Sequence, residues 1–294
     1  MERGRAAVLA AAAVIARALL ALILLAAPAG AAELKLATWN MEWLTARPAG
    51  DPALPRDVVR RDAADLVRLR AYAARLEADV LAIQEVDGPE AAALVLDPAR
   101  WQFFFPDERD VQRAGIAVRR GLPARRNPDL AGLDLSPEAR FSLRRGADVT
   151  VGEGASALRV LSLHLQSGCR EPDDRGRECD NIARQAAVLA GWIADRRAAG
   201  EAFAIAGDFN RRFDRDTTIF PALESAAPLT RATAGRSNPC WGGRPFIDHI
   251  LLGGPARGWM APNSLRLMVY AERGPEWRGR LSDHCPVSIR LDIP

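Results

Sequence analysis

The chain has 294 residues, 49% hydrophobic and 26% charged, with a formal net charge of +3. That composition excludes a disordered or collagen-like chain, and the length suits one large domain or two small ones with a core that needs no crosslinks. The positive charge is nearly all arginine, with Lys35 the only lysine; the total reads as a coding bias, and only particular guanidinium forks are assigned to phosphate recognition.

At the N-terminus, Arg3 and Arg5 precede an alanine-rich stretch interrupted by Arg17, and a purely apolar run extends from Ala18 to Ala27. The small residues up to Ala32 suit a signal peptidase, so residues 1–32 are expected to be a secretory signal, cleaved after Ala31 or Ala32. The apolar run is too short to span a bilayer comfortably, which argues against an uncleaved anchor and leaves no stable membrane span. Residues 33–294 then form the mature domain, periplasmic or secreted. Removing Arg3, Arg5, Arg17 and Glu2 leaves 37 basic and 36 acidic residues. A near-neutral protein exerts no strong long-range pull on nucleic acid.

Leu34–Asn40 reads as a short strand. A helix is expected from Val58, capped by Asp57, because Val59, Ala63, Leu66, Leu69, Ala73 and Leu76 recur at three- and four-residue spacing. Val80–Ile83, Trp101–Phe105 and Gly115–Val118 read as strands, and Asn127–Ala139 as a loop. Ala147–Val151 and Leu158–Leu165 form a strand pair joined at Gly152–Gly154. A second helix is expected at Asn181–Arg197, with Ile182, Ala186, Leu189 and Ile193 on one face. Phe203–Ala206 is a buried strand, residues 211–244 look irregular, and Phe246–Leu252, Leu265–Tyr270 and Val287–Ile293 complete the strands. Strands outnumber helices and long loops separate them, which predicts a mixed α/β structure without regular alternation.

Export makes the four cysteines candidates for disulfides. Cys169 and Cys179 bracket a polar loop and are expected to close it, leaving Cys240 to pair with Cys285, although three pairings are formally open. A zinc site is the weaker reading, because no CxxC pair is present.

Apolar runs repeatedly meet polar clusters: Thr38-Trp39-Asn40, Gln84-Glu85, His164-Leu165-Gln166, Gly207-Asp208-Phe209-Asn210, Asp248-His249 and Ser282-Asp283-His284. These clusters hold all three histidines of the chain. Singly each is a turn or a surface pair; together they suggest a site along one sheet edge. The ordered segments TWNMEWL, LAIQEVDG, LSLHLQSG, AGDFNRRF, IDHILL and LSDHCPV resemble the endonuclease/exonuclease/phosphatase superfamily, the deoxyribonuclease-I-like fold. The resemblance runs from Leu34 to Ile293. It implies an α/β/β/α four-layer sandwich, with two mixed β-sheets packed face to face, and hydrolysis of phosphoesters with Mg²⁺, or else Mn²⁺ or Ca²⁺.

By this resemblance Glu85 is the principal metal carboxylate, Asn40 adds an amide oxygen, and Asp283 is a further acid near the metal. Asp208 orients the nucleophilic water, and Asn210 holds a phosphoryl oxygen. His284 pairs with Asp248, and His164 donates to a phosphate or leaving oxygen. The family's strand arginine maps to Arg144 in preference to Arg145. Glu108 and Asp110 are candidate partners of His164. His249 adjoins Asp248 on a strand, points the other way and reads as structural.

Substrate choice lies in loops. Arg119, Arg120, Arg125 and Arg126 form either a solvated loop or a phosphate rail. Arg211 and Arg212 follow GDFN and are expected beside the scissile phosphate. Trp241 offers a face on which a base could stack, or else caps the core. An exported endonuclease acting as a monomer on nucleic acid is the first expectation. A sphingomyelinase-like or small-molecule phosphodiesterase or phosphatase is the second, and a non-catalytic binding protein on the same fold is the alternative of another class.

Overall fold

A computed structural model describes residues 32–139, 142–169, 171 and 173–294, so the expected signal segment lies outside the described residues apart from Ala32. Strand alternation determines the layers. In β1 (Ala32–Leu44), Leu34 and Leu36 face a core between two sheets, whereas Ala37, Trp39 and Met41 face an outer core. Neighbouring side chains on a strand take opposite faces, so a strand apolar on both must be covered on both. The same holds in β2 (Val80–Val86), where Val80 and Ala82 point inward and Leu81 and Ile83 outward. In β7 (Leu158–His164) and β8 (Phe203–Asp208), Val160, Ala204 and Ala206 meet the inner core, while Leu161, Leu163 and Ile205 face out.

The first sheet has the order β11 (Arg266–Leu267), β12 (Val287–Ile293), β1, β2, β4 (Arg113–Arg119), β3 (Trp101–Phe104). The second runs β5 (Ala124–Arg126), β6 (Ala147–Val151), β7, β8, β10 (Asp248–Gly253), β9 (Leu229–Arg231). Helix α1 (Ala63–Leu76) covers the first sheet through Leu69, Tyr72, Ala73 and Leu76. Helix α2 (Arg177–Ala198) covers the second through Ile182, Ala186, Leu189 and Ile193, the face expected from the spacing. The result is the expected four-layer sandwich.

Four local expectations fail for identifiable reasons. Helix α1 is capped by Asp62, not Asp57: the Asp62 carboxylate accepts from Asp65 N at 2.8 Å, and the Asp65 carboxylate accepts from Asp62 N at 3.2 Å. This reciprocal pair fixes the first turn, and Val59 stays 46% exposed ahead of it. Within the supposedly irregular stretch, Asp216 accepts from the backbone N–H groups of Ile219 and Phe220 at 3.0 Å and starts α3 (Ile219–Ala226), which leads into β9. Of Leu265–Tyr270 only Arg266 and Leu267 pair in the sheet. Arg125 and Arg126 lie on a short edge strand rather than a loop.

Topology gathers the polar clusters. Strands β1 and β2 are parallel with Asn40 opposite Gln84, and β7 and β8 are parallel with His164 opposite Asp208. β10 runs antiparallel to β8 and begins with Asp248 opposite Asp208. β12 runs antiparallel to β1 with Val287 opposite Thr38, which brings Ser282–His284 to the same end. A buried bridge fixes the two sheets beneath this edge: Thr38 Oγ1 donates to Gln84 Oε1 at 3.1 Å, and Gln84 Nε2 donates to Ser162 Oγ at 3.1 Å. Both expected disulfides form, Cys169–Cys179 and Cys240–Cys285. Among the described residues no helix is long and apolar enough to cross a membrane.

Candidate active site

The end of β1 is bent around an acid. Glu42, Trp43 and Glu85 all have left-handed backbone, with φ of 46°, 52° and 56°. Such strain in non-glycine residues costs about 1–3 kcal/mol each and persists only where the surroundings enforce it. Here Trp43 N donates to Glu85 Oε2 at 3.2 Å, and Asn40 Nδ2 donates to Glu85 Oε1 at 3.0 Å. Arg61 Nη2 donates to the carbonyls of Met41, Glu42 and Leu281, tying this corner to the segment that carries Asp283.

Asn40 also donates to Asp208 Oδ2 at 3.2 Å, while its own oxygen accepts from Glu42 N at 3.0 Å. The amide therefore spaces two carboxylates, with its nitrogen rather than its oxygen turned toward Glu85. Asp208 is buried, and its Oδ1 accepts from Asn210 N at 2.8 Å. Burial, with Asp248 and Glu85 nearby, pushes its carboxyl up to about 7 against the opposing pull of His284 and the Asn210 N–H. Asn210 itself takes a left-handed turn, φ 51°, and its Nδ2 donates to Leu165 O at 3.1 Å.

On one side of Asp208, His284 Nδ1 lies 2.8 Å from Asp248 Oδ2 and its Nε2 lies 3.7 Å from Asp208 Oδ2. Burial disfavours the imidazolium, but Asp248, Asp208 and Asp283 outweigh it and hold His284 well above the usual histidine range. The ring is set from behind: Ser282 Oγ donates to Asn40 O at 2.7 Å and accepts from His284 N at 3.0 Å, and Tyr270 Oη donates to His284 O at 2.9 Å. On the other side, His164 Nε2 lies 3.6 Å from Asp208 and 3.7 Å from Glu85. Burial, then the charges of Arg144 and His284, hold His164 well below its usual range, so it is neutral. Of the two candidate arginines, Arg144 is buried beside His164 and donates to Leu165 O at 3.2 Å, while Arg145 donates to Asp107 O. Neither Glu108 nor Asp110 bonds His164, whose Nδ1 has no hydrogen-bond partner among the described residues.

The acids fit a divalent cation on one flank. Glu42 and Asp283 meet carboxyl to carboxyl beside Glu85, and burial followed by that contact pushes Glu42 up to about 9. Clustered hard oxygens short of positive charge are what a magnesium-like ion offsets. Asp208, Asp248 and His284 also bring one donor atom each within 4.8 Å of one another. There, however, the 2.8 Å His284–Asp248 bond occupies the pair, and an ion shared by both would break it. Glu42 escaped the reading of the sequence, although it stands two residues beyond Asn40.

The expected substrate arginines divide. Arg212 lines a cleft beside His284 and pairs with Glu171. Arg211 does not face the site: it is 3% exposed and clasps Cys169 O at 2.8 Å and Asp216 Oδ1 at 3.3 Å, anchoring the disulfide loop. Trp241 lines the cleft, but Tyr270 packs against its ring at 5.5 Å and Arg278 sits over it at 5.7 Å, so it is no open stacking platform. Arg119, Arg120, Arg125 and Arg126 lie at the far end of the sheets, beside the starts of β2 and β7.

His249 faces away from the cleft into an aromatic layer, stacked on Phe213 at 4.3 Å. Its Nε2 donates to Arg211 O at 3.0 Å and its Nδ1 accepts from Thr233 Oγ1 at 2.7 Å, which defines a neutral tautomer. Burial pulls it down to about 3, against an unfolded value near 6.5. Between those values the unfolded chain binds the extra proton. The contribution of His249 is therefore complete above about pH 6.5 and lost as pH falls toward 3, about 5 kcal/mol in all. Urea unfolding of His249→Asn at pH 7 and pH 4.5 is expected to show a lower midpoint but a weaker pH dependence than the parent. Equal pH dependence in both proteins would contradict this account.

The Endonuclease/Exonuclease/phosphatase family model matches residues 37–284. Among solved structures, the chain is similar to TDP2 from C. elegans, with 15% identity, a TM-score of 0.60 and coverage of 92% of this chain and 78% of that one. The human Nocturnin catalytic domain with bound sulfate anion gives 14% identity and a TM-score of 0.54, covering 89% of this chain and 95% of that one. The endonuclease domain of TRAS1, a telomere-specific non-LTR retrotransposon, gives 13% identity and a TM-score of 0.55, covering 89% and 99%. At these identities the structural likenesses show the fold. No curated protein sequence gives a significant match.

Proposed function

Because the chain belongs to the Endonuclease/Exonuclease/phosphatase family, and so to metal-dependent phosphoesterases, we propose that it is an exported endonuclease that cleaves nucleic-acid phosphodiesters by water attack. The observation that carries this is the buried Asp208, standing between two unlike histidines: cationic His284, 3.7 Å away and held by Asp248, and neutral His164, 3.6 Å away. A carboxylate poised near neutral pH to accept a proton, beside a cationic histidine that can donate one, suits phosphodiester hydrolysis by water.

Asp208 orients the attacking water and accepts its proton, with Asn40 and the Asn210 N–H holding the carboxylate in place. His284 presents Nε2–H to the phosphoryl group, and Asp248 keeps Nδ1 protonated and balances the imidazolium. His164 and Arg144 supply further positive or donor groups to phosphoryl and leaving oxygens. Asn210 fixes the turn that carries Asp208. Glu85, Glu42 and Asp283 would hold the divalent cation, Mg²⁺ in this reading, which when bound polarises a phosphoryl oxygen and offsets the carboxylate charge.

Two disulfides suit an oxidising compartment, and the protein is read as acting as a monomer. Plasmid DNA, RNA, sphingomyelin and bis(p-nitrophenyl) phosphate, each incubated with the protein and Mg²⁺, separate the substrate classes. Conversion of supercoiled plasmid to open circles, lost in His284→Ala, is the expected result. Sphingomyelin turnover with both nucleic acids intact would reject the nuclease reading.

A further inference from the structure

Glu85 does not line the cleft beside His284. The cleft is lined by Asp248, Asp283 and His284 and by Asn238, Trp241, Arg244 and Arg278. Neither Arg244 nor Arg278 has an acidic partner among the described residues, and the buried Nε of Arg278 has no hydrogen-bond partner. Asp248 and Asp283 line the same cleft but pair with His284 and, among the described residues, with neither arginine, which leaves two guanidinium groups to receive an anion.

Arg278 is not loosely held. Its guanidinium lies 5.7 Å above the Trp241 ring, and Trp241 is seated on Tyr270 and donates Nε1 to Ser282 O at 3.1 Å. The Cys240–Cys285 bridge joins the residue before Trp241 to the residue after His284. The bridge therefore ties the segment that seats Arg278 directly to the segment that carries His284.

We propose that Arg244 and Arg278 form a second-phosphate subsite, which takes the phosphate next to the one being cleaved and so selects nucleotide strands over phosphodiesters with a single phosphate. This rests on the phosphodiesterase reading of the main site. Trp241 is the seat of Arg278 rather than a surface for a base. A bidentate guanidinium–phosphate contact supplies the recognition, and the seating of Arg278 on Trp241 lowers its ordering cost.

Dithymidine methylphosphonate is the probe, because its internal linkage is uncharged and is not repelled by the acids. Calorimetric titration in EDTA compares the forms with a 5′-phosphate, a 3′-phosphate and no terminal phosphate. One phosphorylated form is expected to bind about tenfold more tightly than the form without phosphate. That gain is expected to vanish in Arg244→Gln/Arg278→Gln and to shrink in Arg244→Gln alone, where an exposed side chain carries no risk to folding. Equal affinity for all three forms overturns the proposal, as does a gain that survives the double substitution. Turnover of bis(p-nitrophenyl) phosphate, which has no second phosphate, reports on the main site separately. Turnover together with equal affinities rejects the subsite and leaves the phosphodiesterase reading standing.

Discussion

Asp208→Asn is expected to lower kcat for phosphodiester hydrolysis by about 10³-fold, within the range for loss of a positioned general base. The change is nearly isosteric, but it removes the proton acceptor. It also leaves one amide donor facing another, since both Asp208 oxygens accept, from Asn40 Nδ2 and from Asn210 N. The parent should lose kcat/KM as pH falls below about 7, where Asp208 becomes protonated. It should lose rate again at high pH, where His284, raised above its usual range, gives up its proton. The variant should lack the acidic limb. A thermal melt within a few degrees of the parent separates lost chemistry from lost folding. A variant with near-parental kcat would show that another group takes the proton.

Glu85→Gln is expected to abolish turnover, a loss of at least about 10³-fold, and to weaken Mg²⁺ binding in a calorimetric titration. Gln keeps an oxygen for Asn40 but presents N–H₂ where Glu85 Oε2 accepts from Trp43 N. It also removes one of the charges that crowd Glu42 and Asp283. Glu42 should consequently titrate at lower pH in the variant, which carboxylate-selective NMR of the metal-free protein can follow. Undiminished Mg²⁺ affinity would place the ion elsewhere, with the Asp208, Asp248 and His284 group as the site to examine.

What was legible in the sequence was periodicity and punctuation. The apolar spacing in α2 and the polar stops at Asn40, Glu85, His164 and Asp208 each reflect a local constraint, and parallel pairing of β1 with β2 and of β7 with β8 then gathers the stops at one edge. What was not legible was the partner each side chain finds. Asn40 and Arg211 were assigned by position in a motif, yet an amide can turn either end to its neighbours and an arginine can reach in any direction. Arg211 turns inward because the disulfide loop offers it two carbonyls and Asp216 offers a carboxylate. Glu42 follows the motif closely but meets Asp283 where it and Trp43, both left-handed, bend the strand end. Arg278 lies far along the chain from Trp241, and only the fold and the Cys240–Cys285 bridge bring them to one cleft.

The central claim is that one sheet edge hydrolyses phosphodiesters with a divalent cation held by Glu85 and its neighbouring acids. Turnover of bis(p-nitrophenyl) phosphate by the purified chain, followed through addition of Mg²⁺, then EDTA, then excess Mg²⁺, tests it most directly. The account predicts hydrolysis that stops on chelation, returns with Mg²⁺ and is absent throughout in Glu85→Gln. Hydrolysis that continues unchanged in EDTA would contradict it.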